Sequence, residues 1–346
     1  PTKIPFSFQY DLDVQYGVGR IHFDSPEEYG QYAQGVVEAN KGRVRRERNA
    51  AFFGVSQPGD RSTILSSKFL VEPLRTAIIE PYEKLGWKFD SAMGEEATKS
   101  RLTSLLGGED TPALLFSASH GVGSGMEWKR QESDQGALLC QGYTGGDSRP
   151  FYFASEDLSS DANVAGTVTM MFACYGGGTP KFNEFEEYDK AAVRANPKRK
   201  PPAAQIAKEA FIASLPKRML CHPKGGALAV IAHVERALSC SFQNSGDSES
   251  SHIAPFESAV KKLLEGFPIG YAMEEFNSKH SELGNDLREK MPELKTMAEP
   301  PISVINMLTE YYDTRNYSVI GDPAVTLAIE STPSGPPAAA IGLARG

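Results

Sequence analysis

The chain has 346 residues, 40% of them hydrophobic and 10% aromatic, enough to bury the core of one large domain or two smaller ones. A net charge of −8 argues against a general nucleic-acid-binding surface, which needs a basic excess to displace counterions from phosphates. No stretch approaches the roughly 20 apolar residues of a membrane span, and the amino terminus lacks the basic-then-apolar pattern of a secretory signal. Cys140, Cys174, Cys221 and Cys240 are too sparse for a disulfide scaffold and too scattered for a zinc site. The expectation is a cytoplasmic protein without membrane, metal or other cofactor.

Residues 4–23 alternate apolar and polar side chains, which predicts extended or hairpin structure. Ser25, Pro26 and Glu28 then spell a capping box with proline at the first helical position, opening a helix that runs to about Asn40. Ala50–Val55 reads as a strand. "STILSSKFLVEPLRTAIIEPYEKLG" reads as helical material interrupted at Pro73 and Pro81, and "ATKSRLTSLL" as a short helix. The apolar run Leu114–Phe116 predicts a strand buried on both faces, followed by "SASHGVGSG". Two short accessory strands, in "QGALLCQ" and "FYFAS", lead to the next strong strand in "GTVTMMFACYGGGTP". Residues 187–202 carry charge and proline with little to bury and predict an exposed linker, a candidate for cleavage. Beyond it come a helix around Ala203–Leu215, a strand in "GALAVIAHVE", helices through Met291, a last helix in "SVINMLTEYYDT" and a strand in "YSVIGDPAVTLAI". This divides the chain into 1–48, an N-terminal part with strands and a helix; 49–186, a half bearing the reactive residues; the linker; 203–330, a half completing the sheet; and 331–346, a flexible tail by composition. Alternating strands and helices predict an α/β fold with a mostly parallel sheet covered on both faces.

Two strand ends resemble each other. "LLFSASHGVG" and "TMMFACYGGG" each run from apolar residues through small ones to one reactive side chain and a glycine turn, and they present His120 and Cys174, 54 positions apart, from expected neighbouring strands. Reaction sites in open α/β sheets gather at such carboxyl ends. An imidazole beside a thiol can lower its pKa, supply a thiolate nucleophile and protonate a leaving group. The backbone N–H groups of Gly121 and Cys174 can form an oxyanion hole. The turn G-V-G-S-G lacks the spacing of a dinucleotide fingerprint, and no G-x-S-x-G elbow supplies a serine nucleophile. Cys140, Cys221, Cys240 and His233 are expected to be structural.

"SHG" and "FACYGG", at a spacing close to the roughly 50 residues between His and Cys in caspases, resemble the caspase-like peptidases, which include caspases, gingipains, separase and bacterial CHAT proteins. "FFGVSQPGD", "AVIAHVERALSCSF" and "VIGDPAVTLA" are similar to the CHAT and gingipain-like branch, and the resemblance spans most of residues 4–329. It implies a caspase-like three-layer α-β-α sandwich and a His120–Cys174 dyad needing no metal. It also implies a protein substrate and a peptidase that forms the carboxyl-terminal part of a longer, signal-regulated protein or complex with a sensor domain or regulatory partner. Caspases carry Gln two places before the nucleophile, where it helps to hold a substrate aspartate; here Phe172 takes that place as a substrate-binding candidate, so aspartate specificity is not implied. In this fold the turn after the first core strand helps to line the substrate pocket, which makes Asp60 and Arg61 competing candidates and Asp134 a further carboxylate. Asp60 would favour a basic substrate residue and Arg61 an acidic one. The alternative is a caspase-like docking or ligand-sensing module whose dyad has lost activity.

Overall fold

A computed structural model describes residues 3–200, 202–243, 251–294 and 299–330. The expected tail, 331–346, and most of the polar loop before residue 251 lie outside the described residues. The chain opens with α1 (Phe6–Asp13) and the two-residue β1 (Gly19–Arg20). The extended or hairpin structure expected over 4–23 is therefore a helix over Phe6–Asp13, because Phe6, Gln9 and Tyr10, at helical spacing, face inward, and a strand only at β1. Arg20 fixes that register by donating to Gln9 Oε1 at 3.1 Å and to the carbonyls of Ile4 and Pro5. In α2 (Pro26–Asn40) both hydrogen bonds of the expected capping box form: the Glu28 N–H donates to Ser25 Oγ, and the Ser25 N–H to the Glu28 carboxylate. Strand β2 (Asn49–Gly54) follows, then α3 (Arg61–Ser66), a π-helical turn over Ser67–Val71 and α4 (Glu72–Glu83). The run from α3 to α4 is unbroken, so neither proline interrupts it as expected: Pro73 follows directly on the π-helical turn, and Pro81 lies in the last turn of α4.

Next come β3 (Lys88–Met93), α5 (Lys99–Leu105), β4 (Leu114–Ala118), β5 (His120–Gly121), α6 (Gln131–Asp134), β6 (Leu138–Leu139) and β7 (Tyr152–Phe153). Strand β8 (Val168–Phe172) and β9 (Gly178–Thr179) lead to α7 (Glu186–Ala195). That helix corrects the exposed linker. Glu186 and Glu187 occupy its first turn and Arg194 its last, as the helix dipole favours, and Asp189 points inward with 2% of its surface exposed. Within the expected linker, the run exposed throughout begins at Arg194 and covers 194–200. The helix expected around Ala203–Leu215 is also corrected. This segment runs alongside residues 181–183 through backbone bonds, forms β10 (Phe211–Ile212) against β9, and turns helical only in α8 (Ser214–Leu220). Strand β11 (Ala229–His233), helices α9 (Ala254–Leu264), α10 (Ile269–Ala272), α11 (Glu274–Leu294) and α12 (Ile302–Arg315), and β12 (Tyr317–Gly321) complete the chain.

Seven strands form one sheet in the order β1-β12-β11-β8-β4-β2-β3. Every pairing is parallel except β11 with β12, so the expected α/β sandwich with a mostly parallel central sheet is the fold. All five residues of β4, β8, β11 and β12 are buried, as sheets covered on both faces require. Phe256 of α9 anchors one face, edge-on to Phe116, Phe172 and Tyr317 from three different strands. Because β2, β4 and β8 are parallel neighbours, their carboxyl ends, with Asp60, His120 and Cys174 in the turns beyond them, open at one edge.

Candidate functional site

The His120 turn is built from a strand that changes sheets. After β4 the chain continues as β5, which pairs antiparallel with β6, itself antiparallel to β7, in a small second sheet. The Ser119 N–H still donates to Phe172 O at 3.1 Å, so the turn begins against the end of β8. Gly121 then lies directly on the Cys174 backbone: a Cβ built there would overlap the Cys174 carbonyl oxygen and stand 2.9 Å from the Cys174 nitrogen. Only glycine lets the two turns approach this closely. Hydrogen-bonded and non-bonded pairs alternate along an antiparallel ladder, and Val122 donates to Ala137 O, so Gly121, opposite Leu138, turns its N–H away from β6. The Cys174 N–H makes no hydrogen bond among the described residues. The two donors expected for an oxyanion hole thus sit on touching segments.

Asp60 is placed differently from its expected role. It caps α3, accepting from the Ser62 N–H at 3.1 Å and from Thr63 Oγ at 3.0 Å, and the same carboxylate lies 2.7 Å from Nε2 of His120. A carboxylate only accepts, so Nε2 is the donor of this bond, and Nδ1 is the ring nitrogen that Asp60 does not hold. This corrects the reading of Asp60 as a free carboxylate for a basic substrate residue. A signal for it was present in the sequence: "PGDRST" has the form of a helix cap, and a cap at the end of β2 necessarily stands beside the end of β4. Arg61, next in the chain, is exposed and makes no ion pair among the described residues.

Two other expected pocket residues lie elsewhere. Asp134 is 1% exposed, accepts from Arg130 at 2.6 Å and from the Tyr152 hydroxyl, and is held below the usual carboxylate range by those bonds against the opposing effect of burial. Its lone pairs serve the small sheet. Phe172 points into the core, edge-on to Phe242 and Phe256. Both are corrected from substrate-facing to structural.

Cys174 is half-buried, and its thiol bonds to Ala237 O at 3.7 Å. Burial pushes the thiol pKa up, with the Ala237 contact and the Arg236 charge opposing. The turn around it is held by backbone. Tyr175, at φ 60°, donates its N–H to Glu235 O; Gly177 donates to His233 O at 2.9 Å; and Glu235, itself at φ 71°, returns its N–H to Gly178 O at 3.1 Å. Two non-glycine residues in the left-handed region, on facing segments, mark stored strain that the surroundings must hold in place. The holding group was not foreseen from sequence. Glu235 Oε2 accepts from the Glu184 N–H, while Arg236 grips both oxygens of Asp189 at 2.9 Å and Asn183 Oδ1 at 2.8 Å, tying the Cys174 turn to α7. Burial raises the Glu235 pKa to about 7, opposed chiefly by Arg236.

His233 is fully buried, contacts Asp313 O at 3.1 Å and stands edge-on to Tyr317, the structural place expected for it. Among the described residues no cluster of His, Cys, Asp or Glu could hold a metal ion, and no helix is long and apolar enough to cross a membrane. No protein-family model and no curated protein matches the chain.

Proposed function

We propose that the chain is a cysteine endopeptidase acting on a protein substrate through His120 and Cys174. The observation that carries this reading is the Gly121–Cys174 contact, which sets a histidine, a cysteine and two oxyanion-hole donors on adjoining turns. In the reaction, Nδ1 of His120 takes the Cys174 proton and the thiolate attacks the scissile carbonyl carbon. The N–H groups of Gly121 and Cys174 stabilise the resulting oxyanion. The imidazolium, steadied by Asp60, gives its proton to the departing amine, leaving a thioester on Cys174. Water, deprotonated by the same nitrogen, then releases the carboxylic acid and restores the thiol. The sequence resemblance to caspase-like and CHAT peptidases supports the reading and adds the setting: an effector part of a larger cytosolic protein or complex, controlled by a sensor domain or regulatory partner.

One observation favours a second reading, a docking module with a silent dyad. The thiol bonds to Ala237 O rather than to the imidazole, and its pKa is raised. One experiment separates the two: a proteome-derived peptide library is incubated with the chain and with Cys174→Ala, and new termini are read by mass spectrometry. New termini from the intact chain alone support the peptidase; identical digests support the docking module.

A further inference from the structure

A cleft of about 540 Å³ opens between the end of α1 and the start of α11, and none of its walls belongs to the turns that carry His120 and Cys174. Asp13, Val14 and Tyr16 line it from the α1 side, Tyr271 and Glu274 from the other. Gly17 and Gly270, also in its wall, meet backbone to backbone: a Cβ built on Gly17 would stand 3.0 Å from the Gly270 Cα. That contact fixes the end of α1 against α10, so the cleft is preformed. Tyr271 and Glu274 already hold a cation. Lys262 Nζ lies 2.9 Å from the Glu274 carboxylate and 4.5 Å from the centre of the Tyr271 ring. Tyr16 and Asp13 are the same pair of groups without one. Asp13 Oδ1 accepts from the Val18 N–H at 3.2 Å, but its carboxylate makes no ion pair among the described residues. Burial raises its pKa to about 7, with the Val18 N–H and the charge of Arg20 opposing. Arg20 itself donates to Gln9 and to the carbonyls of Ile4 and Pro5, not to Asp13.

We infer that this cleft docks a basic side chain, Arg or Lys, of a partner protein. The sign of the charge follows from Asp13: a half-buried carboxylate without a counter-ion favours a ligand that brings one, and an acidic or apolar side chain would leave it uncompensated. Asp13 also ends α1, where the helix dipole adds to the pull on a cation. The opposite dipole at the start of α11 is offset by Glu274 and Glu275 in its first turn. Tyr16 supplies an aromatic ring for the incoming ammonium or guanidinium, as Tyr271 does for Lys262. The class of partner follows from the rim. Val14, Tyr16 and Tyr271 are all exposed, an apolar surface that a small amine would leave in water and a protein chain would cover. Because the cleft lies apart from the dyad turns, the docking site stands whether or not the chain cuts peptides.

The test is an array of random nonapeptides with blocked termini, probed with the chain and with Asp13→Asn, both carrying Cys174→Ala so that no peptide is cut. Asp13→Asn keeps an acceptor for the Val18 N–H, and its melting temperature checks the fold. Peptides that bind the parent at least about tenfold more strongly than Asp13→Asn should contain Arg or Lys beside apolar residues, because losing one partner of a desolvated charge pair costs at least that much. Exchanging the Arg for citrulline, or the Lys for acetyl-lysine, should abolish the difference. Tyr16→Ala, at an exposed position, should weaken the same peptides by about threefold; should Asp13→Asn not fold, the comparison with Tyr16→Ala decides. An Asp13-dependent set that is empty, that is not enriched in basic residues, or that binds equally well after the exchange overturns the assignment. Spermine bound by the parent and not by Asp13→Asn, with no Asp13-dependent peptide, also overturns it and gives the carboxylate to a free amine.

Discussion

The two strand ends that look alike in sequence are held by different means. The His120 end is fixed through side chains: a carboxylate that caps a helix also orients the imidazole, and the side chain stands partly in solvent, 39% exposed. The Cys174 end is fixed through backbone, by a strand extension of residues 233–237 and two left-handed residues, with the ion pairs one layer further out on α7. Side-chain fixing can be dismantled one group at a time with local effect. Backbone fixing fails by shifting a whole turn.

The sharpest way to break the comparison is to remove the groups being held. Cys174→Ala should abolish peptide cleavage, and His120→Ala should lower kcat by about a thousandfold or more, since each is irreplaceable in a step the other cannot perform. Melting temperatures should stay close to that of the parent chain, because a half-buried thiol and a partly exposed imidazole contribute little packing. Undiminished turnover in either variant would end the dyad assignment.

Asp60→Asn tests the side-chain half. The amide oxygen still accepts from Ser62 N–H and preserves the α3 cap, but it no longer stabilises an imidazolium. The expected result is a fall in kcat of about 10- to 100-fold with KM nearly unchanged, measured on any substrate found in the library digest. Asp60→Ala should add a stability loss of about 1 kcal/mol from the missing cap. Equal kcat in Asp60→Asn and the parent chain would reduce the carboxylate to its capping role.

Much of this contrast was out of reach of the sequence. The strands whose residues are buried on both faces announce themselves as apolar runs, and the α2 capping box is written in three residues. Segments whose conformation is decided by distant partners do not. The Phe6-Phe8-Tyr10-Leu12 alternation has the period of a strand, yet Arg20 selects the helix in which Phe8 is left 54% exposed. Strand β3, "KFDSAM", escapes notice because an edge strand covered by one neighbour needs few apolar residues. The Ala-rich stretch 203–212 has helical propensity but pairs with 178–183, where backbone partners override it. His120, Gly121 and Cys174 were legible because glycine turns after apolar runs flag them. Arg236, Asp189 and Glu235 were not, since their pairing joins residues far apart in a chain where charged residues make up 23% of the total.

The backbone half is tested by Glu235→Gln. The Glu235 pKa is raised from the ordinary carboxylate range to about 7, so between those values the folded chain binds more protons than the unfolded one. Stability must therefore fall as pH rises from about 4.5 to about 7 and stay low above it, by up to about 3 kcal/mol from this group alone. Asp13, also raised by burial to about 7, adds to the same trend. Glu235→Gln keeps an acceptor for the Glu184 N–H but does not titrate. Its melting temperature should lie closer to that of the parent chain at pH 5 than at pH 8, where the variant should be the more stable. A parallel pH dependence in both proteins would show that the carboxylate is already ionised throughout this range.

The smallest effect is expected one residue beyond the largest side-chain effect, at Arg61. It adjoins Asp60 in sequence and was its rival for the substrate pocket, but its side chain is exposed, lies outside the walls of the cleft beside His120 and has no ion-pair partner among the described residues. As the first residue of α3 it places a positive charge at a helix end that favours negative charge, a weak interaction screened by solvent. Arg61→Ala should therefore change kcat/KM by less than about twofold and leave stability within about 0.5 kcal/mol. The contrast with Asp60→Asn is the informative measurement, because neighbouring positions on one short turn differ only in what their side chains reach. If Arg61→Ala instead abolished cutting before or after acidic residues while sparing other cuts, the guanidinium would be a substrate contact made only in the complex, and the turn after β2 would supply charge selection as well as the imidazole's partner.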